Sequence, residues 1–348
     1  MVHLPLGPRM TRLIGAHGPI SLLMWMGEAN AHYYATRDPL GTAGDFTTAP
    51  EISQMFGEMI GVWLADVWQR AGARADAAYV EMGPGRGTLA SDALRVMRRF
   101  GWDGAVHFVE TSPTLRAAQR KAVPGAVLHD DLSTLPDSVP LMIVANEFLD
   151  ALPVRQMVNT PQGWRERMVG LNEGRFVPVA GTLPMDVAVA ADFRDAPDGT
   201  IVESSPAASA VMGEIARRLA TQGGAGLIVD YGYGAPQTGS TLQALRNHAA
   251  ADPFADPGEV DLTTLVDFSA AAQAATAAGA QVAGPVGQGA FLGALGIAQR
   301  AAALARAAPA RTQEIAAALD RLVGAEQMGT LFKVMALAGR GWPMGAGV

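Results

Sequence analysis

The run Tyr79-Val80-Glu81-Met82-Gly83-Pro84-Gly85-Arg86-Gly87-Thr88-Leu89 constrains this chain more than any other stretch. A short apolar segment ends in an acid, and glycines then stand at every second position. A helical pattern starts at Ser91 and continues through Leu94, Val96 and Met97. Strand, glycine turn and helix is the layout of the first βα unit of a doubly wound nucleotide-binding sheet. Glycine is needed there because a side chain would keep a ligand from the backbone and the helix N-terminus.

The rest of the chain alternates as an α/β sheet demands. Val106–Glu110 reads as a second strand, Pro113–Ala122 as a helix, and Ala126–His129 as a third strand. Leu141–Asn146 is a continuous apolar run suited to a central parallel strand. Further on, Ala225–Asp230, Gln281–Ala283 and Leu331–Leu337 read as strands. Upstream, Ile20–Ala35 has helical spacing at Leu23, Met26, Ala29 and Tyr33. A Gly/Thr/Asp-rich loop then leads to a helix expected from Glu51 to Ala71, with Thr47 or Thr48 as its cap and Pro50 in its first turn. Between Val154 and Val179, short apolar runs are broken at Pro161-Gln162-Gly163 and Asn172-Glu173-Gly174, the pattern of antiparallel hairpins. Residues 290–325 are Ala-rich and read as a helical pair, and the Gly/Pro-rich tail beyond Gly339 is expected to fray.

Bulk properties narrow the function. With 348 residues and 49% hydrophobic content the chain can bury a large core. The formal charge is −7 and no basic block appears, which argues against nucleic acid as partner. There are no cysteines, so disulfides, thiolate metal sites and a cysteine nucleophile are excluded. That composition fits a reducing cytoplasm, the expected location. No apolar run approaches the roughly 20 residues needed to span a bilayer. His3, His17, His32, His107, His129 and His248 are scattered without metal-binding spacing, so no metal is expected. Neither a G-x-S-x-G elbow nor a G-x-x-x-x-G-K-[ST] loop is present, which weakens hydrolase and NTPase readings.

Acids at the ends of successive parallel strands are the informative chemistry, because ligands sit outside those ends. Glu110 can accept hydrogen bonds from ribose hydroxyls. Asp130 and Asp131 follow the third strand, one suited to an adenine amino group and the other to capping the next turn. Glu81 can hold the glycine-turn amides or orient a cofactor amino group. Asn146-Glu147-Phe148-Leu149-Asp150-Ala151-Leu152-Pro153 follows the fourth strand. If that segment enters a helix, Glu147 and Asp150 share a face and can grip a cationic group. The same acids would equally suit a helix N-terminus for its macrodipole. On spacing alone the glycine turn admits a dinucleotide, S-adenosylmethionine (SAM) or no ligand.

With these stretches in hand, the chain resembles the MidA-like family of class I SAM-dependent methyltransferases. The resemblance is carried by Gly44-Asp45-Phe46-Thr47-Thr48-Ala49-Pro50-Glu51-Ile52-Ser53-Gln54, the E-x-G-x-G-x-G run at Glu81–Gly87, and Asn146–Pro153. Val229–Gly232, Asp256-Pro257-Gly258, Val266-Asp267-Phe268, Gln288–Leu292 and Met328–Val334 extend it. It implies a Rossmann-like seven-stranded sheet with an antiparallel last strand, an N-terminal helical lid, a β-hairpin insertion and a helical insertion. The implied division is 1–75 for the lid region, 76–153 and 201–289 for the two halves of the core, 154–200 for the hairpin insertion, 290–328 for the helical insertion and 329–348 for the last strand and tail. SAM is the implied cofactor, held by Glu81, Gly83, Pro84, Gly85, Gly87, Glu110, Asp130, Asp131, Leu132 and Asn146. Glu147, Asp150 and Asn146 become the catalytic set, and Asp45, Phe46, Thr48 and Glu51 the lid or substrate residues. A mitochondrial member of the family dimethylates an arginine of a respiratory complex I core subunit, so the implied acceptor is a protein arginine. The rivals are a small-molecule methyltransferase, a SAM-binding assembly chaperone without transfer and an NAD-dependent oxidoreductase.

Overall fold

A computed structural model describes residues 5–36, 48–246 and 249–348. They form two compact units, one from Met1–Phe46, Asp150–Ser209 and Ala235–Asp267, the other from Thr47–Leu149, Ala210–Gly234 and Phe268–Val348. Each unit thus draws on several of the six segments expected from the sequence. Asp45 and Phe46 lie outside the described residues.

The larger unit holds the α/β sheet. Its strands are β1 (Ala78–Met82), β2 (Val106–Val109), β3 (Val127–His129), β4 (Leu141–Asn146), β5 (Gly224–Tyr233), β6 (Gln281–Gly287) and β7 (Phe332–Ala338). They run side by side in the order β6-β7-β5-β4-β1-β2-β3. The first five are mutually parallel, and β7 is antiparallel to both β5 and β6. Every residue of β1 and β4 is buried, including Glu81 and Asn146, as in strands covered on both faces.

Register aligns the strand ends. Met82 lies level with Val109 on one side and Ala145 on the other, and Val109 is level with His129. The next residue out on each strand is therefore Asp130, Glu110, Gly83 or Asn146. The chain order reverses beside β1, the switch point at which open α/β sheets bind ligands.

Helices α1 (Ala49–Ile52), α2 (Gln54–Arg70), α3 (Thr88–Arg99) and α4 (Pro113–Ala122) belong to the same unit. The expected single helix from Glu51 is interrupted. Thr48 holds the N-cap position of α1, with Pro50 in its first turn as expected but no side-chain capping bond, while α2 has its own cap: Ser53 is extended at φ −164° and its side chain accepts the Met55 N–H. Gly57 and Gly61 let α2 approach α3 closely: a Cβ on Gly61 would sit 2.6 Å from the Ala93 carbonyl oxygen. The Ala-rich region forms three helices, Gln288–Ala294, Ile297–Ala307 and Thr312–Val323, where a pair was expected. Arg300 from this region and Arg95 from α3 both bind the buried Glu58 carboxylate, at 2.6 and 2.8 Å. Burial acts to raise Glu58, but these hydrogen bonds outweigh it and hold the group below the usual carboxylate range. The tail does not fray. Trp342 is buried, Arg70 donates to the Met344 carbonyl at 2.6 Å, and a Cβ on Gly345 would overlap the Trp63 indole. Apolar bulk outweighs the Gly/Pro content there.

The smaller unit is built on an antiparallel sheet of Ile20–Ser21, Arg155–Thr160, Gly163–Asn172, Arg175–Pro184 and Ile201–Ser204. Glu173 and Gly174 both have positive φ, +50° and +78°, the requirement of a type I′ hairpin turn. An N-terminal helix, Leu6–His17, buries Leu6, Met10 and Ile14 along one face. In the next helix, Leu22–Thr36, the buried Asn30 is fully used. Its amide donates to the Ala151 and Leu262 carbonyls, and its oxygen accepts the Leu262 N–H.

Candidate active site

The glycine turn leaves β1 with Gly83, Gly85 and Gly87 at φ +59°, +54° and +83°. L side chains avoid this region, so the alternating glycines meet a backbone demand as well as a spatial one. Gly83 also lies against Phe148, whose ring would be 2.9 Å from a Cβ placed there. Pro84 is buried, and its carbonyl accepts the Gly87 N–H at 2.8 Å, closing the turn into α3.

Glu110 stands at the end of β2. One oxygen accepts the Ser112 amide at 2.8 Å, and the other the Gln119 side-chain amide at 3.3 Å. Burial pushes its carboxyl up despite those hydrogen bonds. Gln119, on α4 and completely buried, also donates to the Gly85 carbonyl at 2.8 Å. Both partners are acceptors, so the amide orientation is determined, and one side chain ties the glycine turn to the strand-end acid. The sequence reading missed Gln119, whose only signal was a polar residue on the inward face of an amphipathic helix.

The two acids after β3 separate in role. Asp131 caps the turn Leu132–Thr134 by accepting the Ser133 amide at 2.7 Å and its hydroxyl, which hold it below the usual carboxylate range. Asp130 is exposed and pairs with Arg116 at 2.6 Å. Leu132 is half-buried in the capped turn. Beneath this edge, His107 Nδ1 lies 2.9 Å from His129 Nε2, so two of the histidines read as scattered are brought together. Burial, with the neighbouring charge, lowers both. Among the described residues no three metal-ligating side chains are clustered.

Glu81 corrects an expectation. It is 2% exposed on β1 and accepts the Tyr79 hydroxyl at 2.6 Å, two residues away on the same face. Its recorded hydrogen bond thus goes to the strand and not to the glycine-turn amides. Burial raises its carboxyl to about 8.

Beyond β4 the chain makes a bend and a turn, so Glu147 and Asp150 do not share a helix face as the sequence reading required. Asp150 falls in the smaller unit, where it is buried and its carbonyl accepts the Thr264 N–H at 3.0 Å. Glu147 stays with the sheet. Its φ is +50°, a conformation costing a non-glycine residue roughly 1–2 kcal/mol. Its carboxylate accepts the Ala49 amide at 3.1 Å and the Asn146 side-chain amide at 3.2 Å. Helix α1 is tied at its other side to the glycine turn, for Glu51 accepts the Thr88 hydroxyl at 2.6 Å and lies 3.9 Å from Arg86. Thr48 is buried, and its carbonyl closes the first turn of α1 on the Glu51 amide. Of the expected lid residues, Thr48 and Glu51 therefore form a strap from Glu147 to the glycine turn.

This arrangement can hold a nucleoside with a cationic end. The buried Asn146 Oδ1 has no hydrogen-bond partner among the described residues, while its amide is committed to Glu147. An unmet acceptor beside a carboxylate fits a ligand that brings N–H donors. Glu110 supplies acceptors for hydroxyls, and the positive-φ glycines leave room for backbone approach.

Sheet order, glycine turn and strand-end acceptors define a Rossmann-like fold of the methyltransferase class. Residues 59–286 match the family described as S-adenosyl-L-methionine-dependent methyltransferases. The mitochondrial protein arginine methyltransferase NDUFAF7 of Homo sapiens is 34% identical, with 96% of this chain and 84% of that protein covered. Its Drosophila melanogaster homologue is also 34% identical, covering 96% and 85%. A Burkholderia thailandensis protein solved with S-adenosylhomocysteine bound superposes with TM-score 0.84 at 28% identity, covering 97% of this chain and 92% of that one. The chain belongs to this family of SAM-dependent methyltransferases, and SAM is its cofactor.

The expected cytoplasmic location does not stand, because the NDUFAF7 relatives are named as mitochondrial proteins. Absence of cysteine bounds the redox environment and not the compartment. Among the described residues no helix is long and apolar enough to cross a membrane.

Proposed function

We propose that this methyltransferase acts on an arginine side chain of a protein, with a subunit of respiratory complex I as the acceptor the family resemblance suggests. The observation that carries the reading is the Glu147 carboxylate at the end of β4, fixed by Ala49 and Asn146 beside the glycine turn. The names of the curated relatives support the choice of arginine.

When bound, SAM supplies a methyl group to an acceptor nitrogen, leaving S-adenosylhomocysteine and one proton. A guanidinium is a poor nucleophile while its charge is delocalised. Glu147 orients it and draws charge onto the nitrogens it binds, and it takes up the proton that leaves. Gly83, Gly85 and Gly87 admit the cofactor to the backbone, and Glu110 accepts from its ribose. Pro84, Asp130, Asp131 and Leu132 border that half of the site. Asn146 serves both halves, steadying Glu147 with its amide and offering Oδ1 to the cofactor's donors.

Methyl-labelled SAM added to the protein and a mitochondrial extract tests the acceptor. Label in a protein whose hydrolysate contains methylarginine is expected. Label confined to small molecules would replace this reading with a small-molecule methyltransferase. Binding without any transfer would leave a SAM-binding chaperone.

A further inference from the structure

Strand β5 carries an acid, one residue beyond its last pairing with β4, that none of these roles uses. Asp230 is completely buried. One of its carboxylate oxygens accepts the amide N–H groups of Phe148 at 3.1 Å and Leu149 at 2.9 Å. The other accepts the Tyr231 amide at 3.0 Å. A carboxylate taken out of water needs such donors, since a buried charge without them is strongly disfavoured.

The same bonds fix the two peptide units that follow Glu147. Parallel register places Asp230 there: Val229 is level with Asn146, and the ladder runs one residue further as the Glu147 N–H donates to the Val229 carbonyl at 2.9 Å. Glu147 is thus held by a backbone bond on its own amide and by Asp230 on the next two. A left-handed glutamate persists only where its surroundings over-determine it. Phe148, between them, packs on Gly83, so the segment is also located against the glycine turn.

We propose that Asp230 is a positioning residue for the reactive end of the site: its carboxylate maintains the left-handed backbone at Glu147 and so sets where the Glu147 side chain acts. The inference rests on the reading that Glu147 handles the acceptor. Asp230 touches neither substrate nor cofactor in this role.

Asp230→Asn keeps the volume and one acceptor but places N–H donors against at least one of the three amides. Steady-state turnover should fall on the order of tenfold to a hundredfold, the scale of a misplacement near 1 Å. Affinity for S-adenosylhomocysteine should change by less than about threefold, giving a kcat effect separate from cofactor binding. Combined with Glu147→Gln, Asp230→Asn should cause no further loss, because the group it positions is already disabled. Multiplying losses in the double variant, or a lower Tm with unchanged kcat, would overturn the inference. Full turnover by Glu147→Gln alone would instead overturn the reading beneath it. Hydrogen exchange on the unaltered protein gives a result even if the variant fails to fold. The Phe148 and Leu149 amides should be strongly protected, and exchange at the rate of open loops would contradict the clamp.

Discussion

The two halves of the strand-end site are built by different means. On the side of β1, β2 and β3, the parts lie close in sequence: a glycine turn, a strand-end acid two residues from the amide it accepts, and Asp131 capping its own turn. On the side of β4 and β5, one strained residue is held through the amide that follows it by a carboxylate 82 positions from that amide, and by the start of α1, 98 positions away. A motif can specify a cradle for a cofactor by itself. An oriented carboxylate at the reacting centre needs rigid elements from distant parts of the chain.

The largest effect should come from Glu147→Gln, which keeps shape but loses charge and basicity. Turnover should fall about a hundredfold or more in a single-turnover assay, the range of a lost acid–base group, with S-adenosylhomocysteine affinity nearly intact. Gly83→Ala comes next. The new Cβ meets both a φ of +59° and the Phe148 ring, so cofactor binding by calorimetry should weaken by about tenfold, with Tm lowered as well. Gln119→Leu removes the amide shared by Gly85 and Glu110. Calorimetry should show about fivefold weaker cofactor binding, with turnover at saturating SAM unchanged.

A separate effect, on stability and not on binding or transfer, is one of pH. Glu81 titrates near 4.5 when unfolded and near 8 when folded, because burial favours its neutral form. Between those values the folded state keeps a proton that the unfolded state has lost. Stability therefore falls as pH rises through that window, by up to about 1.4 kcal/mol per pH unit. Glu81→Gln should remove that component, seen as a higher Tm relative to the unaltered protein at pH 9 and little difference at pH 5.

How much was legible in the sequence follows the same divide. The parallel strands and glycine turn were visible because apolar runs and punctuating glycines are local signals. Glu110 and the capping role of one of the two acids after β3 came from strand ends, which register then aligned. The two-unit grouping was not visible, since each unit joins three separated segments. Nor was the break at Ser53, where one residue in extended conformation divides a continuous helical pattern. Gln119 and Asp230 were on the page as letters, but their partners are set by the packing of α4 and by the pairing of β5 with β4. The tail was misread because composition suggested disorder where Trp342 and the approach of Gly345 to Trp63 fix the chain.

The central claim is that cofactor capture and acceptor handling are separable properties of adjacent strand ends. The direct measurement takes Gln119→Leu and Glu147→Gln side by side, titrating each with S-adenosylhomocysteine and following single-turnover methyl transfer at saturating labelled SAM. Opposite patterns are expected: weaker binding with normal transfer for Gln119→Leu, and normal binding with transfer nearly abolished for Glu147→Gln. Proportional loss of binding and transfer in both variants would contradict this and show that the two halves act as one unit.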